Sequence, residues 1–183
     1  MRVIAGKFRS RRLNAVPGLA VRPTPDRLRE ALFNVLAPRI QGKVFVDAYA
    51  GTGAVGIEAL SRGAKRVIFI ERSTAALAVL RENISSLGVQ DDSIVIRGGV
   101  SALLGRETAD IVFIDPPYDR PQEYDEALRT ISETGCKLVI AQHASRSPLE
   151  DRYGVLQRTR VLRQGDNSLS FYERAEGPPA SMT

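Results

Sequence analysis

The sequence has very few of the residues that build disulfides and metal sites. Cys136 is the only cysteine and His143 the only histidine among 183 residues. One cysteine excludes an intramolecular disulfide, and the two residues together cannot assemble a cysteine-based zinc site or a histidine cluster, so we predict no metal. We interpret Cys136, which precedes a predicted strand, as structural. His143 is expected at an edge or in a loop.

Long apolar runs are also absent. No uninterrupted apolar stretch approaches the ~18 to 20 residues that a membrane-spanning helix requires, and the N-terminus has no apolar signal-peptide core. We therefore expect a cytoplasmic protein that has no membrane partner. A chain of 183 residues fits one domain with a substantial core and small appendages, and we expect a monomer.

Acidic residues are missing from the beginning of the chain. Six basic residues precede the first acid, Asp26: Arg2, Lys7, Arg9, Arg11, Arg12 and Arg22. We predict that they bind nucleic acid, since such a segment attracts phosphate backbones through counterion release. Apolar residues are interleaved with the charges, namely Val3, Ile4, Phe8 and Leu13. They favour a small β-hairpin with an open basic face over the alternative, a solvated tail.

The next segment, "RPTPDRLREALFNVL", has the pattern of an amphipathic helix. Thr24 can cap it, Pro25 suits the first helical position and Asp26 lies in the first turn. One face is apolar and consists of Leu28, Ala31, Leu32, Val35 and Leu36. We expect Pro38 to end this helix.

From residue 43 onward, short apolar runs alternate with helical patterns, and helices are predicted at 54–63, 73–87 and 121–134. Five runs are predicted as parallel strands covered on both faces, because valine and isoleucine recur almost without alternation. They are "KVFVDAY", "RVIFIE", "SIVIRG", "DIVFID" and "KLVIAQ". The segments "GVLQRTRVLR" and "SLSFYER" flank the turn-forming "QGDN" and indicate a C-terminal antiparallel hairpin. The predicted fold is a doubly wound, Rossmann-like α/β domain.

The first predicted strand runs into a glycine-rich turn, "VDAYAGTGAVGIEAL", in which Gly51, Gly53 and Gly56 match G-x-G-x-x-G. Glu71, at the end of the next strand, can accept from both hydroxyls of a ribose. NAD and S-adenosylmethionine both present such a ribose. Asp47 favours S-adenosylmethionine, because a carboxylate here opposes a pyrophosphate but suits a ligand with sulfonium and ammonium charges. The alternative for Asp47 is an internal turn acceptor.

The fourth predicted strand ends abruptly in "DPPY", residues 115–118. Ligands of open α/β sheets bind beyond the carboxyl ends of the strands, where strand order reverses, and the first and fourth strands flank that point. Pro116 and Pro117 have no N–H donors, so their carbonyl oxygens are available as acceptors. Such acceptors suit the exocyclic amine of a nucleobase, with Asp115 complementing the positive charge that develops on nitrogen and Tyr118 stacking on the base. A chance turn is the alternative.

In this order, "DAYAGTGAVGIEAL", "IER" and "DPPY" resemble class I S-adenosylmethionine-dependent amino-methyltransferases. "RVIAGKFRSRRL" followed by "RPTPDRLREALFNVL" narrows the resemblance to the bacterial family that methylates a guanine N2 in 16S ribosomal RNA. The resemblance covers roughly residues 2 to 173. It implies a seven-stranded sheet, an N-terminal hairpin that contacts RNA, and action on guanine within assembling 30S particles. We therefore predict an extension at 1–23, a methyltransferase domain at 24–174 and a flexible tail at 175–183.

The resemblance also assigns site residues. Asp47, Gly51 and Gly53 would hold the methionine and sugar of the cofactor, Glu71 the ribose, and residues 115–118 the target base. The other predicted cofactor contacts are Thr24, Ala48, Arg72, Gly99 and Val100, and Arg22, Pro23 and Thr24 match the family block. One departure concerns the adenine. Many relatives have an acid after the third strand, but this chain reads "IRGGVSAL", so a backbone group or a neighbouring residue must contact the adenine.

Three alternatives stay open. A DNA amino-methyltransferase would share "DPPY" but usually adds a segment that reads base edges, and no insertion of that size is present. A NAD-dependent oxidoreductase would share the glycine motif and Glu71. A non-catalytic RNA-binding domain could keep the same fold.

Overall fold

The computed structural model describes residues 1–16, 25–103, 109–117 and 120–175. In this part of the chain one mixed sheet has the strand order β3-β2-β1-β4-β5-β8-β7-β6. The strands are β1 Val44–Asp47, β2 Arg66–Glu71, β3 Ser93–Arg97, β4 Ile111–Ile114, β5 Leu138–Ala144, β6 Arg152–Tyr153, β7 Leu156–Gln164 and β8 Asn167–Arg174. The helices are α1 Asp26–Leu36, α2 Ala54–Ser61, α3 Thr74–Leu87 and α4 Gln122–Ser132, with a short 3₁₀ helix at Val100–Leu103.

The first five strands are parallel, and β8, β7 and β6 continue the sheet in antiparallel pairs. The predicted Rossmann-like architecture and the C-terminal hairpin are therefore confirmed. The hairpin closes at the pair Gln164↔Asn167 with a two-residue loop, and Gly165 has the positive φ of 59° that such a loop needs. The sheet has eight strands instead of the predicted seven. The additional strand, β6, is two residues long and too short to show a sequence pattern.

Helix α1 begins one residue later than predicted. Pro25 occupies the N-cap position, and its carbonyl accepts from the N–H groups of Leu28 and Arg29. Thr24, the predicted cap, lies outside the described residues. The helix ends at Leu36, two residues before Pro38, because proline has no N–H to continue the ladder.

Two hydrophobic layers cover the two faces of the sheet. Along β4, Ile111 and Phe113 belong to the layer formed with α1, α2 and α3, whereas Val112 and Ile114 belong to the layer formed with α4. This alternation explains why the strand reads as an uninterrupted apolar run: both faces are buried. None of the described helices is long and apolar enough to cross a membrane.

The N-terminal segment, residues 1–16, is called the arm below. Its apolar residues Val3, Phe8 and Leu13 are buried in the α1–α3 layer, so the described arm is part of the domain core. A single antiparallel bridge joins Arg2 to Arg12. Three backbone hydrogen bonds also join the two sides of the arm: Val3 N–H donates to Arg11 at 3.0 Å, Leu13 N–H to Met1 at 3.0 Å and Ser10 N–H to Val3 at 2.9 Å. The arm thus folds back on itself as a small hairpin, as predicted, and has one β-bridge pair.

Candidate functional site

A cavity of about 850 Å³ opens at the carboxyl ends of the parallel strands, where β1 and β4 are neighbours. This is the position that the strand-order argument predicted. Eight of the predicted site residues line it: Ala48, Gly51, Glu71, Arg72, Gly99, Asp115, Pro116 and Pro117. The cavity thus brings together the glycine turn, the end of β2, the loop after β3 and the end of β4.

Other predicted residues are placed elsewhere. Within the described part of the chain, Asp47, Gly53 and Val100 are not among the residues that line this cavity. Thr24, Tyr118 and Arg22 lie outside the described residues. The remaining predicted RNA contacts lie on the arm, and all five are exposed: Arg2, Lys7, Arg9, Arg11 and Arg12.

Asp47 is buried, with 1% of its surface exposed, and its Oδ2 accepts from the N–H of Gly56 at 2.9 Å. Burial raises the pKa of this carboxyl to about 7; the hydrogen bond from Gly56 lowers it and the charge of Glu71 raises it further. This geometry matches the alternative role given to Asp47 in the sequence analysis, that of an internal turn acceptor. A Cβ on Gly56 would lie 2.3 Å from the ring of Phe69, so this glycine permits the close packing of α2 on β2.

Glu71 is held at the cavity wall by main-chain donors. Its Oε2 accepts from Gly51 N–H at 2.7 Å, and its Oε1 accepts from the N–H groups of Arg72 and Ser73, each at 2.7 Å. Oε2 therefore retains a lone pair after binding Gly51. The carboxylate is oriented before any ligand arrives, and it can accept from a hydroxyl in the cavity.

The Asp-Pro-Pro segment directly follows β4 and forms the opposite wall. The carbonyl of Pro116 accepts from the hydroxyl of Tyr124 at 3.2 Å, and the carbonyl of Pro117 accepts from Arg120 N–H at 3.0 Å. Both carbonyls thus have an internal partner that the sequence reasoning did not foresee. Each keeps one further lone pair, and the internal bonds fix the direction of both groups.

Charged side chains lie at the end of the cavity near the loop after β3. A Cβ on Gly99 would lie 2.6 Å from Nη2 of Arg72, so the guanidinium packs directly against the glycine backbone. Glu123 Oε1 lies 3.6 Å from Arg72 Nη1 and 3.1 Å from Arg120 Nη1. Burial and the neighbouring Glu123 both raise the pKa of Tyr49, burial more strongly. The space beside Gly99 is therefore filled by the Arg72 guanidinium.

Several cavity residues were missed by the sequence reasoning: Pro25, Tyr49, Ile70, Ser73, Gly98, Arg120, Glu123, Gln142 and Asn167. Arg120 and Glu123 follow "DPPY" closely, so their sequence position was a usable signal. Gln142 and Asn167 lie on β5 and β8, which are antiparallel neighbours, and only the sheet topology brings them to the cavity.

A buried carboxylate anchors the arm to α2. Glu58 has no exposed surface and accepts from Ile4 N–H at 2.8 Å, Ala5 N–H at 3.0 Å and Arg62 Nε at 2.8 Å. Arg29, also fully buried, lies 4.0 Å from it through Nε and donates to the carbonyl of Arg2 at 2.7 Å. Burial lowers the pKa of Arg29, and the charges of Asp26 and Glu58 oppose that shift. The arm is thus fixed by its backbone, while its basic side chains stay exposed.

The two rare residues are both internal. Cys136 is buried, burial raises the pKa of its thiol to about 12, and its Sγ donates to the carbonyl of Leu138 at 3.2 Å. This agrees with a structural role. The expectation for His143 was wrong: it lies within β5, is 4% exposed and is 2.9 Å from Ser170 Oγ through Nε2. Burial lowers its pKa. In the described residues no cluster of metal-ligating side chains occurs.

Comparison with known proteins adds independent information. A family model described as "Conserved hypothetical protein 95" matches residues 1–173. "Putative rRNA methyltransferase YlbH" of Bacillus subtilis (strain 168) is 33% identical over 183 residues, covering 95% of this chain and 99% of that protein. "Ribosomal RNA small subunit methyltransferase D" of Escherichia coli (strain K12) is 38% identical over 136 residues, which cover 74% of this chain and 68% of that protein. The structure of "Putative methyltransferase yhhF from Escherichia coli" matches with a TM-score of 0.83 at 30% identity. The match covers 97% of this chain and 99% of that one.

The strand order, the glycine turn facing Asp-Pro-Pro and these similarities define a class I methyltransferase. Such enzymes take their methyl group from S-adenosylmethionine, so the predicted cofactor is confirmed at the level of the class. The chain belongs to the family described as Conserved hypothetical protein 95, which matches it almost from end to end, and it is similar to ribosomal RNA methyltransferases. The resemblance seen in the sequence is therefore confirmed, and the oxidoreductase alternative receives no support from these relatives.

Proposed function

We propose that this protein transfers a methyl group from S-adenosylmethionine to the exocyclic N2 amine of a guanine in 16S ribosomal RNA. The observation that carries the proposal is a single cavity with two chemically different walls. One wall carries Glu71 and Gly51, which suit an adenosine ribose, and the other carries Asp115 to Pro117, which suit an amine. Two of the similar proteins are named as ribosomal RNA methyltransferases, one of them of the small subunit.

The residues present fit the cofactor. The cavity, at about 850 Å³, is within the range typical of small-molecule sites. The remaining lone pair on Glu71 Oε2 can accept from a ribose hydroxyl, and the backbone of Gly98 and Gly99 lies at the same end, beside the Arg72 guanidinium. When bound, the cofactor supplies an electrophilic methyl group on a positively charged sulfur.

The chain's own contribution is to hold and polarise the amine. The lone pair of a guanine N2 is delocalised into the ring, and acceptors for its protons favour the pyramidal geometry of an attacking nitrogen. The carboxylate of Asp115 complements the positive charge that develops on that nitrogen, which stabilises the transition state more than the ground state. The proton leaves the nitrogen after the new N–C bond forms, so Asp115 need not act as a base beforehand.

The arm is proposed to bind the RNA. Its five basic side chains are exposed while its backbone is held by Glu58. This combination gives a charged surface of fixed position, which suits phosphate contacts better than a free tail does. We retain residues 1–23 as the RNA-contacting extension, 24–174 as the catalytic domain and 175–183 as a tail, and we propose that the protein acts as a monomer on assembling 30S particles.

The test is methyl transfer from radiolabelled S-adenosylmethionine to naked 16S rRNA, to 30S particles from a strain lacking the gene, and to DNA, in parallel. Labelled products are digested to nucleosides and identified by mass spectrometry. We expect N2-methylguanosine from 16S rRNA, as RNA or as particles. Labelled DNA would favour the DNA amino-methyltransferase alternative instead, and binding of RNA without transfer to any substrate would favour the non-catalytic alternative.

A further inference from the structure

Asn83 is a buried polar residue of α3 that does not belong to the cavity. It is 1% exposed, and its side-chain amide contacts main-chain groups on two separate segments. Its Oδ1 accepts from Asn14 N–H at 2.7 Å. Its Nδ2 donates to the carbonyl of Asn14 at 3.2 Å and to the carbonyl of Thr52 at 2.9 Å. One amide therefore joins two pieces of backbone that are far apart in sequence.

In the proposed function, these two segments bind the two substrates: the arm binds RNA and the glycine turn binds S-adenosylmethionine. Asn14 is near the end of the arm. Thr52 lies inside the glycine turn, between Gly51 and Gly53, and the N–H of Gly51 donates to Glu71 on the cavity wall. A continuous chain of hydrogen bonds and peptide units thus runs from the arm through Asn83 to the proposed ribose acceptor.

We propose that Asn83 is a positioning residue that couples RNA binding on the arm to cofactor binding at the glycine turn. The inference rests on the proposed function. An amide is planar, so the direction of its two N–H bonds is fixed once its oxygen is bound. With Asn14 in place, Nδ2 is directed at Thr52 and holds the turn in the conformation in which Gly51 meets Glu71.

The energetic reason for coupling is that both ligands favour the same conformation. RNA that stabilises the seated arm also stabilises the Asn83 amide in the orientation that holds the glycine turn, so the cofactor meets a turn that already has its binding conformation. Such coupling is reciprocal for equilibrium affinities: the cofactor must tighten RNA binding by the same factor. The competing explanation is that Asn83 only satisfies buried backbone groups, which would produce no coupling.

Ser61 also anchors the arm through its side chain, and it provides a matched control for Asn83. Ser61 Oγ accepts from Phe8 N–H at 2.9 Å and donates to the carbonyl of Ala5, but it lies at the end of α2 opposite the glycine turn. Ser61→Ala loosens the arm without touching Thr52. Asn14→Ala is a second control, because Asn83 binds only the main chain of Asn14.

The experiment is isothermal titration of S-adenosylhomocysteine, the product of methyl transfer, with and without the saturating RNA substrate, which is supplied as a 16S rRNA fragment and, separately, as 30S particles from a strain lacking the gene. For the wild-type chain we expect at least about fivefold tighter binding with RNA present, the lower end of typical allosteric couplings. Asn83→Ala should bring this ratio close to one. Asn83→Asp is the second variant. It keeps an acceptor for Asn14 N–H but lacks the donor to Thr52, so it should also bring the ratio of the two affinities close to one. Ser61→Ala should lower RNA affinity and preserve the ratio, and Asn14→Ala should change neither.

The outcomes separate the two proposals. A wild-type chain that binds neither ligand, or only one, contradicts the proposed function. A wild-type chain that binds both with a ratio of one overturns the inference and leaves the function standing. If either Asn83 variant weakens both affinities but keeps the wild-type ratio, Asn83 is merely structural and the inference is wrong.

Discussion

The cavity and the arm use charge in opposite ways. At the cavity, Glu71 and Asp115 present carboxylates to a space where a ligand fits, and Glu71 is held by the main-chain N–H groups of Arg72, Ser73 and Gly51. At the arm, the visible charges are exposed, while the charge that holds it, on Glu58, is fully buried and comes from a helix more than fifty residues later. The comparison teaches that motif residues identify the chemistry, whereas a distant buried residue positions the basic surface that we propose binds RNA.

The largest effect is expected from removing the cavity carboxylate alone. Asp115→Ala should lower kcat by about 10³, because the charge developing on the nitrogen loses its complement. Affinity for S-adenosylhomocysteine and for RNA should remain near wild type, measured by titration calorimetry and filter binding. Near-normal turnover would remove Asp115 from the mechanism and would erase the distinction between the two regions.

The next largest effect concerns the arm's anchor. Glu58→Ala removes one of the two carboxylates beside the buried Arg29, whose pair with Asp26 remains, and it leaves two arm N–H groups unpaired, which costs about 1 to 3 kcal/mol for each group. Urea denaturation should show this loss of unfolding free energy, and RNA affinity should fall. Glu30→Ala, at an exposed acidic position of α1, is the control and should be close to neutral. A stable Glu58→Ala protein with unchanged RNA affinity would contradict the anchoring role.

The exposed side of the arm is tested by neutralising its charges, which removes one contact of the arm with α3, the hydrogen bond from Arg11 Nη2 to the carbonyl of Ser86 at 3.0 Å. Replacing Arg9, Arg11 and Arg12 by Ala together should weaken RNA binding at least tenfold, by about 1.4 kcal/mol or more. It should also reduce the slope of log affinity against log salt by roughly 2 to 3. Cofactor affinity should not change. The matched control replaces three exposed basic residues away from the arm, Lys65, Arg129 and Arg146; an equal loss there would mean that net charge alone, and not the arm, binds RNA.

The smallest effect is expected from replacing Asp47. The sequence predicted this carboxyl as a cofactor contact, but it is buried, as is Glu58. The pKa of Asp47 is raised from 3.8 to about 7 on folding. Between those values the folded state binds the proton more tightly than the unfolded state, so this group makes stability fall as pH rises from about 4 to 7.

Asp47→Asn should remove that fall, because the amide oxygen can still accept from Gly56 and never ionises. Relative to the wild type, the variant should gain unfolding free energy between pH 4.5 and pH 7.5, measured by urea denaturation at both pH values. Parallel pH profiles of the two proteins would mean that the buried carboxyl does not titrate in this window.

Much of the fold was predictable because the four inner parallel strands, β2, β1, β4 and β5, are buried on both faces and so read as short apolar runs. The prediction of two covered faces was wrong for β3, which lies at the edge of the sheet and is only partly buried. Short or irregular features were not predictable. β6 has two residues and no detectable pattern, and the hairpin of the arm has a single bridge pair because Glu58 and Ser61 bind other parts of its backbone. His143 was misplaced because a polar residue inside a strand resembles the end of that strand.

The sequence by itself determined the class of chemistry. The glycine turn, Glu71 and "DPPY" each supply the necessary groups within a few residues, so the sequence shows which groups are present. Only the tertiary structure decided that Gly51 holds Glu71, that Asp47 binds α2 and does not line the cavity, that Arg72 fills the space beside Gly99, and that Asn83 joins the arm to the glycine turn. These are contacts between residues distant in the chain, and their energy depends on burial, which arises only when the layers pack together.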